Sequence, residues 1–416
     1  MAYDDGGRRY PDGYGPPDDS NPPAHGDYRD DPPGYSSDYR DDPYSTSSDI
    51  PTVDNRFTPD PVTALGDRLD HVYDEVGSRD ANDRLLVHIV LEVVLMAAAV
   101  GVFFWAKQTD SRMFTGMPLK SLVLTFSAVL LLATATALTL RVRAVNLGLF
   151  AFALTGAALF FKFYDGQGTA ISAAIAVGAC AGAGLVLALL ILLFKMPGWA
   201  AGLGVGLALF AGVESIKVPA LAPDFAFNVN DHGVIVLGVA AALSIVGGIL
   251  GALPGTRRLL GACRDGDTGG RRTRGAITMT LFATLASTAL AGVAGVVIAL
   301  GTSQGLPTAP TSANTLLYGG LALAGALLGG TSAQGRRGGF AGTLLGTAVM
   351  VAVVALGEAH GWHLHPAVYV AGGLVAGLVA TWLIELLGKP DEVPDYSADD
   401  KKRERERDRE SFASLR

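Results

Sequence analysis

The sequence predicts an all-α polytopic membrane protein with about ten transmembrane helices and disordered N- and C-terminal cytoplasmic tails, on three observations. Half of the 416 residues are apolar and only 17% are charged, whereas a soluble chain carries about a quarter charged residues. The apolar residues gather into runs near the roughly 20 residues that cross about 30 Å of hydrocarbon. The 53 glycines are spread without a Gly-X-Y period, as suits helices whose backbones approach closely in lipid.

Four regions follow in order. Residues 1–60 are rich in Tyr, Asp, Pro, Gly and Ser and contain the recurring units YRDDPPGYSSDYRDDPYS. Such a segment buries too little apolar surface to offset its chain entropy, so it is expected to stay disordered. Over 61–84, Val62, Leu65, Leu69, Val72 and Val76 recur at helical spacing between charged residues, which predicts a short amphipathic cytoplasmic helix. Residues 85–388 form the transmembrane body, and 389–416 a charged cytoplasmic tail. Charge divides along the same lines. Residues 1–84 hold 20 acidic and 8 basic side chains, a net of −12, so everything after Arg84 carries +5 of the whole-chain −7.

The apolar runs cover 85–106, 121–140, 146–161, 169–194, 198–213, 233–253, 276–300, 316–328, 340–356 and 366–387. Those at 146–161 and 316–328 are short, and interrupted helices of this kind line cavities in transporters. No basic-then-apolar leader opens the chain, so the first run is expected to act as its own signal anchor. Lys and Arg in the short loops set the orientation. With a cytoplasmic N-terminus, the inside loops hold Arg141, Arg143, Lys195, Arg257, Arg258, Arg264, Arg271, Arg272, Arg274, Arg336 and Arg337. The outside loops hold Lys107, Arg112, Lys120, Lys162 and Lys217. Eleven against five favours this orientation, and an even number of spans returns the C-terminus to the same side. The expected location is the plasma membrane.

Enzyme signatures are missing. The sequence has no GxxxxGK[ST], HExxH or CxxC, so the expectation is a non-enzyme without cofactor, metal or nucleic-acid partner, and without its own nucleotide-binding loop. His360, His363 and His365 share one predicted outer turn and are read as a solvated loop. Cys180 and Cys263 are expected to be free thiols. Ionisable residues inside the spans are His88, Glu92, Glu214 and Glu385. His88 and Glu92 stand at i and i+4 and can satisfy each other. An interior so poor in carboxylates argues against ion coupling and leaves the energy source outside the chain. The longest inside loop, 255–277, is basic and holds a helix-like piece at 256–263.

Three segments carry a resemblance. TLASTALAGVAGVVIALGTS (284–303) resembles the "SGxLAGLAG" helix of ABC importer permeases of the branched-chain amino acid and ribose type. ALLGGTSAQGRRGGFAGTLLGT (326–347) is similar to their "GGTSLxGGRGSxxGTLLG" segment, and RAVNLGLFAFALTGAAL (143–159) to their "GVVNLGxxGxMxxGA" helix. The matches keep the family's order. The sequence departs from it in LGLFAF after Asn146, in GRRGG for GGRG, and in the acidic N-terminal tail. The resemblance implies a permease subunit of an ATP-driven importer, working as a homo- or heterodimer in the bilayer. A cytoplasmic ABC ATPase would dock in trans on the 255–277 loop, through Arg257, Arg258, Arg264 and Asp265. An extracytoplasmic solute-binding protein would deliver a small polar solute, a monosaccharide ahead of nucleosides or branched-chain amino acids. Asn146 and the turn Gly329-Gly330-Thr331-Ser332 would line the path. The other readings are a non-transporting, permease-derived scaffold whose tails recruit partners, and a secondary carrier.

Overall fold

A computed structural model describes residues 85–216, 229–253, 255–256, 259–260, 263, 273–302, 312–332, 341–362 and 364–387. The segments 1–60 and 61–84, the tail from 389, and Arg257, Arg258, Arg264 and Asp265 lie outside the described residues. Within them the chain is helical, and no strand occurs among the described residues.

The elements are α1 (Leu85–Thr109), a 3₁₀ turn (Ser111–Phe114), α2 (Gly116–Arg141), α3 (Leu149–Leu192), α4 (Gly198–Glu214), α5 (Val229–Ala252), α6 (Arg274–Thr302), α7 (Ser312–Leu328), α8 (Gly342–Ala359) and α9 (Pro366–Leu387). Seven of these helices are long and apolar enough to cross a membrane, which defines a multi-pass membrane protein. The helix α3 runs for 44 residues, but Gly168 inside it has φ 74° and ψ 176°. Glycine alone takes that conformation readily, so α3 is two limbs meeting at a bend. Lys162 and Asp165 stand beside the bend, inside the helix rather than in a loop.

Burial separates an inner from an outer set. The most buried apolar stretches belong to α2 (72%), α6 and α8 (61% each), against 17% for α1 and α9. The outer helices turn large apolar side chains outward, among them Phe104, Val234 and Trp382, as hydrocarbon permits. Small residues set the inner packing. A Cβ on Gly292 of α6 would meet Cys180 of the second limb of α3 at 3.0 Å, and a Cβ on Gly156 of the first limb would meet Gly292 at 2.7 Å. Thus α6 sits against both limbs. Between α7 and α8, Gly325, Gly329, Gly342 and Gly346 meet backbone to backbone or against Thr347, the small-xxx-small device of membrane helices.

Buried hydroxyls are numerous and mostly satisfied within their own helix. Thr134, Thr136, Thr155, Thr284 and Thr347 each donate to the carbonyl four residues earlier, at 2.7–2.9 Å. Back-bonding of this kind lets a polar side chain pack in an apolar interior without an orphaned donor.

Candidate functional site

Three connections meet at one end of the bundle. Residues 142–148 join α2 to α3, residues 193–197 join α3 to α4, and the described part of 253–273 joins α5 to α6. Their side chains line a common cavity of about 230 Å³. The opposite end carries the 3₁₀ turn and the α8–α9 connection, where Thr109 Oγ1 lies 3.4 Å from His360 Nε2.

The site is built on the passage from α2 to α3. Arg143 closes α2 with φ 54°, its N–H bonding Leu140 and the Ala144 N–H bonding Thr139. That pair of bonds is the Schellman arrangement, whose left-handed position is usually glycine. Residues 144–146 then run without helical structure, and α3 begins only at Leu149. The reading of a helix from Asn146 is thereby shortened by three residues, because this segment finds its packing on α4 instead.

The fit to α4 is a matter of register. Cβ atoms on Gly198, Gly202 and Gly206 would lie 2.6 Å from Ala144, 2.7 Å from the Asn146 side chain and 2.8 Å from Gly148. Residues 144, 146 and 148 therefore meet successive turns of α4 at Gly198, Gly202 and Gly206, in a groove that only glycine leaves open. The segment descends some 12 Å along α4, so the first turn of α3 starts inside the bundle.

Asn146 stands at this break. It is 3% exposed, and its Oδ1 accepts the N–H of Gly148 at 3.0 Å. Its Nδ2 is buried and without a partner among the described residues. An orphaned amide donor in such surroundings is costly, so an acceptor placed against it, from a water or a solute, would be stabilising.

The turn Gly329-Gly330-Thr331-Ser332 lies elsewhere, at the end of α7. Gly330 takes φ 83° in a second Schellman turn, with Gly330 N–H on Leu327 and Thr331 N–H on Ala326. Leu91 of α1 and Ile384 of α9 cover it. Thr331 and Ser332 are buried, and Thr331 Oγ1 has no partner among the described residues. Asn146 thus packs on α4, and the 329–332 turn packs between α1, α8 and α9. Of the loop 255–277, Gly255, Thr256, Leu259, Leu260 and Cys263 are described and helical. Leu260 and Cys263 are buried against the core, and Cys263 Sγ lies 3.7 Å from the carbonyl of Ala276.

Two residues acquire roles that residue spacing did not suggest. Arg141, read as a loop residue, is the last residue of α2 and only 8% exposed. Its Nη1 donates to the Gly247 carbonyl of α5 at 3.1 Å, and Gly251 leaves the space its guanidinium occupies. Glu92 accepts the backbone N–H of Ala341 at 2.8 Å, closing the start of α8. The residue-level signals were a lone Arg at a helix C-terminus and a GxxxG pair at 247 and 251, too common to single out. Among the described residues no three His, Cys, Asp or Glu side chains converge on a metal position. Comparison with protein-family models, curated proteins and solved structures finds no match to this chain.

Proposed function

We propose that the chain is a ten-span permease subunit of an ATP-driven importer in the plasma membrane, with both termini cytoplasmic. The solute is small and polar, a monosaccharide by first preference. The observation that carries this reading is the helix break at Asn146, where non-helical backbone and an orphaned amide donor lie within the bundle. Irregular backbone at such depth is tolerated where it lines a cavity or is packed in protein, and transporters place it at their solute paths. An Asn amide offers the hydrogen bonding that sugar hydroxyls need without the charge that an ion would need.

Ten spans are supported by the bend at Gly168. At 1.5 Å per residue the 44 residues of α3 run about 66 Å, twice the hydrocarbon thickness. Counting its limbs separately turns the nine helices of 17 or more residues found among the described residues into ten crossings. The positive-inside bias then places the 255–277 loop in the cytoplasm. Its apolar residues Leu260 and Cys263 anchor it to the core, as a lever that receives force from a motor would require. The chain works as a dimer of permeases, with an ATPase pair docking through Arg257, Arg258, Arg264 and Asp265 and a solute-binding protein on the other side.

Affinity capture of the chain from its native membrane tests this. The expected result is co-purification of a nucleotide-binding ATPase, lost when Arg257 and Arg258 are reversed to Glu. Capture without an ATPase, or capture indifferent to that reversal, would favour the scaffold reading. Uptake of a labelled monosaccharide, competed by unlabelled nucleoside or branched-chain amino acid, then decides the solute.

A further inference from the structure

The three connections enclose the cavity of about 230 Å³ described above. Its described wall includes Arg143, Lys195, Met196, Trp199, Cys263 and Thr280, and contains no carboxylate among the described lining residues. That space exceeds what a single water needs many times over. It is therefore a polar recess of headgroup size with two cations on its wall.

Both cations are held in a backbone conformation that favours glycine. Arg143 has φ 54° and Lys195 φ 53°, the two non-glycine residues with positive φ among the described residues. Each follows the end of a helix, the place where Gly330 serves α7. Such positions strain a non-glycine residue. In a chain with 53 glycines, Arg and Lys occupy the two such positions that face one cavity.

The surroundings suit a lipid. Leu193 and Phe194 are each 70% exposed and Trp199 is 56% exposed, and Trp prefers the interface between headgroups and acyl chains. The 17-residue α4 begins at Gly198 and has no side-chain cap on Pro197. Gly198 and Trp199 line the cavity, so the positive end of that helix adds to the attraction for an anion.

We propose that this cavity binds the phosphate of an anionic phospholipid, held by Arg143 and Lys195, with the acyl chains lying over Leu193 and Phe194. The lipid bridges the α2–α3, α3–α4 and α5–α6 connections, and its occupancy tightens this end of the bundle. The proposal does not depend on what the permease carries.

The full chain in nanodiscs, with phosphatidylglycerol competing against phosphatidylcholine, provides the test. Native mass spectrometry reads the lipid retained. The wild-type chain is expected to keep phosphatidylglycerol preferentially. With about 1 kcal/mol per basic residue near the surface, R143Q/K195Q is expected to lose preference some 25-fold. R143K/K195R keeps the preference, and R112Q/K162Q, with the same charge loss at the opposite end, leaves it unchanged. If the double Gln variant fails to fold, K195Q alone is read, with about a fivefold loss expected. Equal retention of the two lipids, an unchanged preference in the Gln variants, or displacement of the lipid by millimolar inorganic phosphate would overturn the proposal. The last outcome would mark a free-anion site.

Discussion

The Glu92 carboxylate of α1 accepts the backbone N–H of Ala341 at 2.8 Å, across 249 positions of sequence. Ala341 is the N-cap of α8 and has no capping side chain of its own. The first N–H groups of a helix have no intrahelical acceptor, and an anion there also meets the positive end of the helix dipole. Glu92 therefore fastens α1, a mostly exposed helix, to the start of a buried one.

Removing that carboxylate should loosen both helices. Glu92→Ala is expected to cost about 1–2 kcal/mol, in the range of a lost N-cap. Glu92→Gln, which keeps an acceptor oxygen, should cost less than half of that. Thermal unfolding in nanodiscs gives the ranking, and hydrogen exchange should rise at the first turn of α8 in the Ala variant. Equal melting of all three proteins would contradict the capping role.

The glycine groove gives a paired test. Gly202→Ala places a methyl group 2.7 Å from the Asn146 side chain, whereas a Cβ on Gly204, one half-turn away, meets nothing within 4 Å. The first change should destabilise by about 1–3 kcal/mol through overpacking. The second should be neutral or stabilising by up to about 1 kcal/mol, since Ala is the better helix former. Thermal melting of the two variants side by side checks the register of the 144–148 segment on α4.

Arg141 sits buried on α5 with a single carbonyl partner for Nη1 and an unpartnered Nε among the described residues. Replacing a buried charge by an apolar side chain of similar volume is often neutral or stabilising. Arg141→Met is accordingly expected to melt at or above the wild-type temperature. Gly251→Leu, which fills the space beside the guanidinium, should melt below it. A large loss of stability in the Met variant would show that the cation's bonds outweigh its desolvation.

Both cysteines are buried, Cys180 at 0% and Cys263 at 9% exposure. Neither should react readily with a membrane-impermeant maleimide in the folded protein, and both should react on unfolding. Cys180 Sγ donates to the Phe152 carbonyl at 3.3 Å and faces Gly292. Cys180→Ser should therefore be tolerated, and Cys180→Leu should lower the melting temperature by overpacking the joint between α3 and α6. With single cysteines placed at exposed Lys195 and Arg112, labelling from opposite sides of a sealed vesicle checks that the two ends lie across the membrane.

Hydropathy is a local property, and it made the membrane class and most spans readable. The runs at 121–140, 198–213 and 366–387 fall within α2, α4 and α9, because a helix in lipid must satisfy its backbone within its own segment. The break between the runs 146–161 and 169–194 falls at the bend at Gly168. The start of α3 was not readable in the same way. Asn146 and Leu147 look like the beginning of an apolar helix, and only the groove along Gly198, Gly202 and Gly206 holds them in a non-helical path.

The sequence by itself determined where the chain is apolar, where its cations gather and where glycine permits close approach. Those properties depend on neighbouring residues and on the solvent each segment prefers. Only the tertiary structure decided that Arg141 is buried on Gly247, that Glu92 closes α8, and that Arg143 and Lys195 share one cavity. Each of those is a meeting between segments separated by 50 to 250 positions. Interhelical packing of small residues selects such partners, and no pattern within either segment encodes the other.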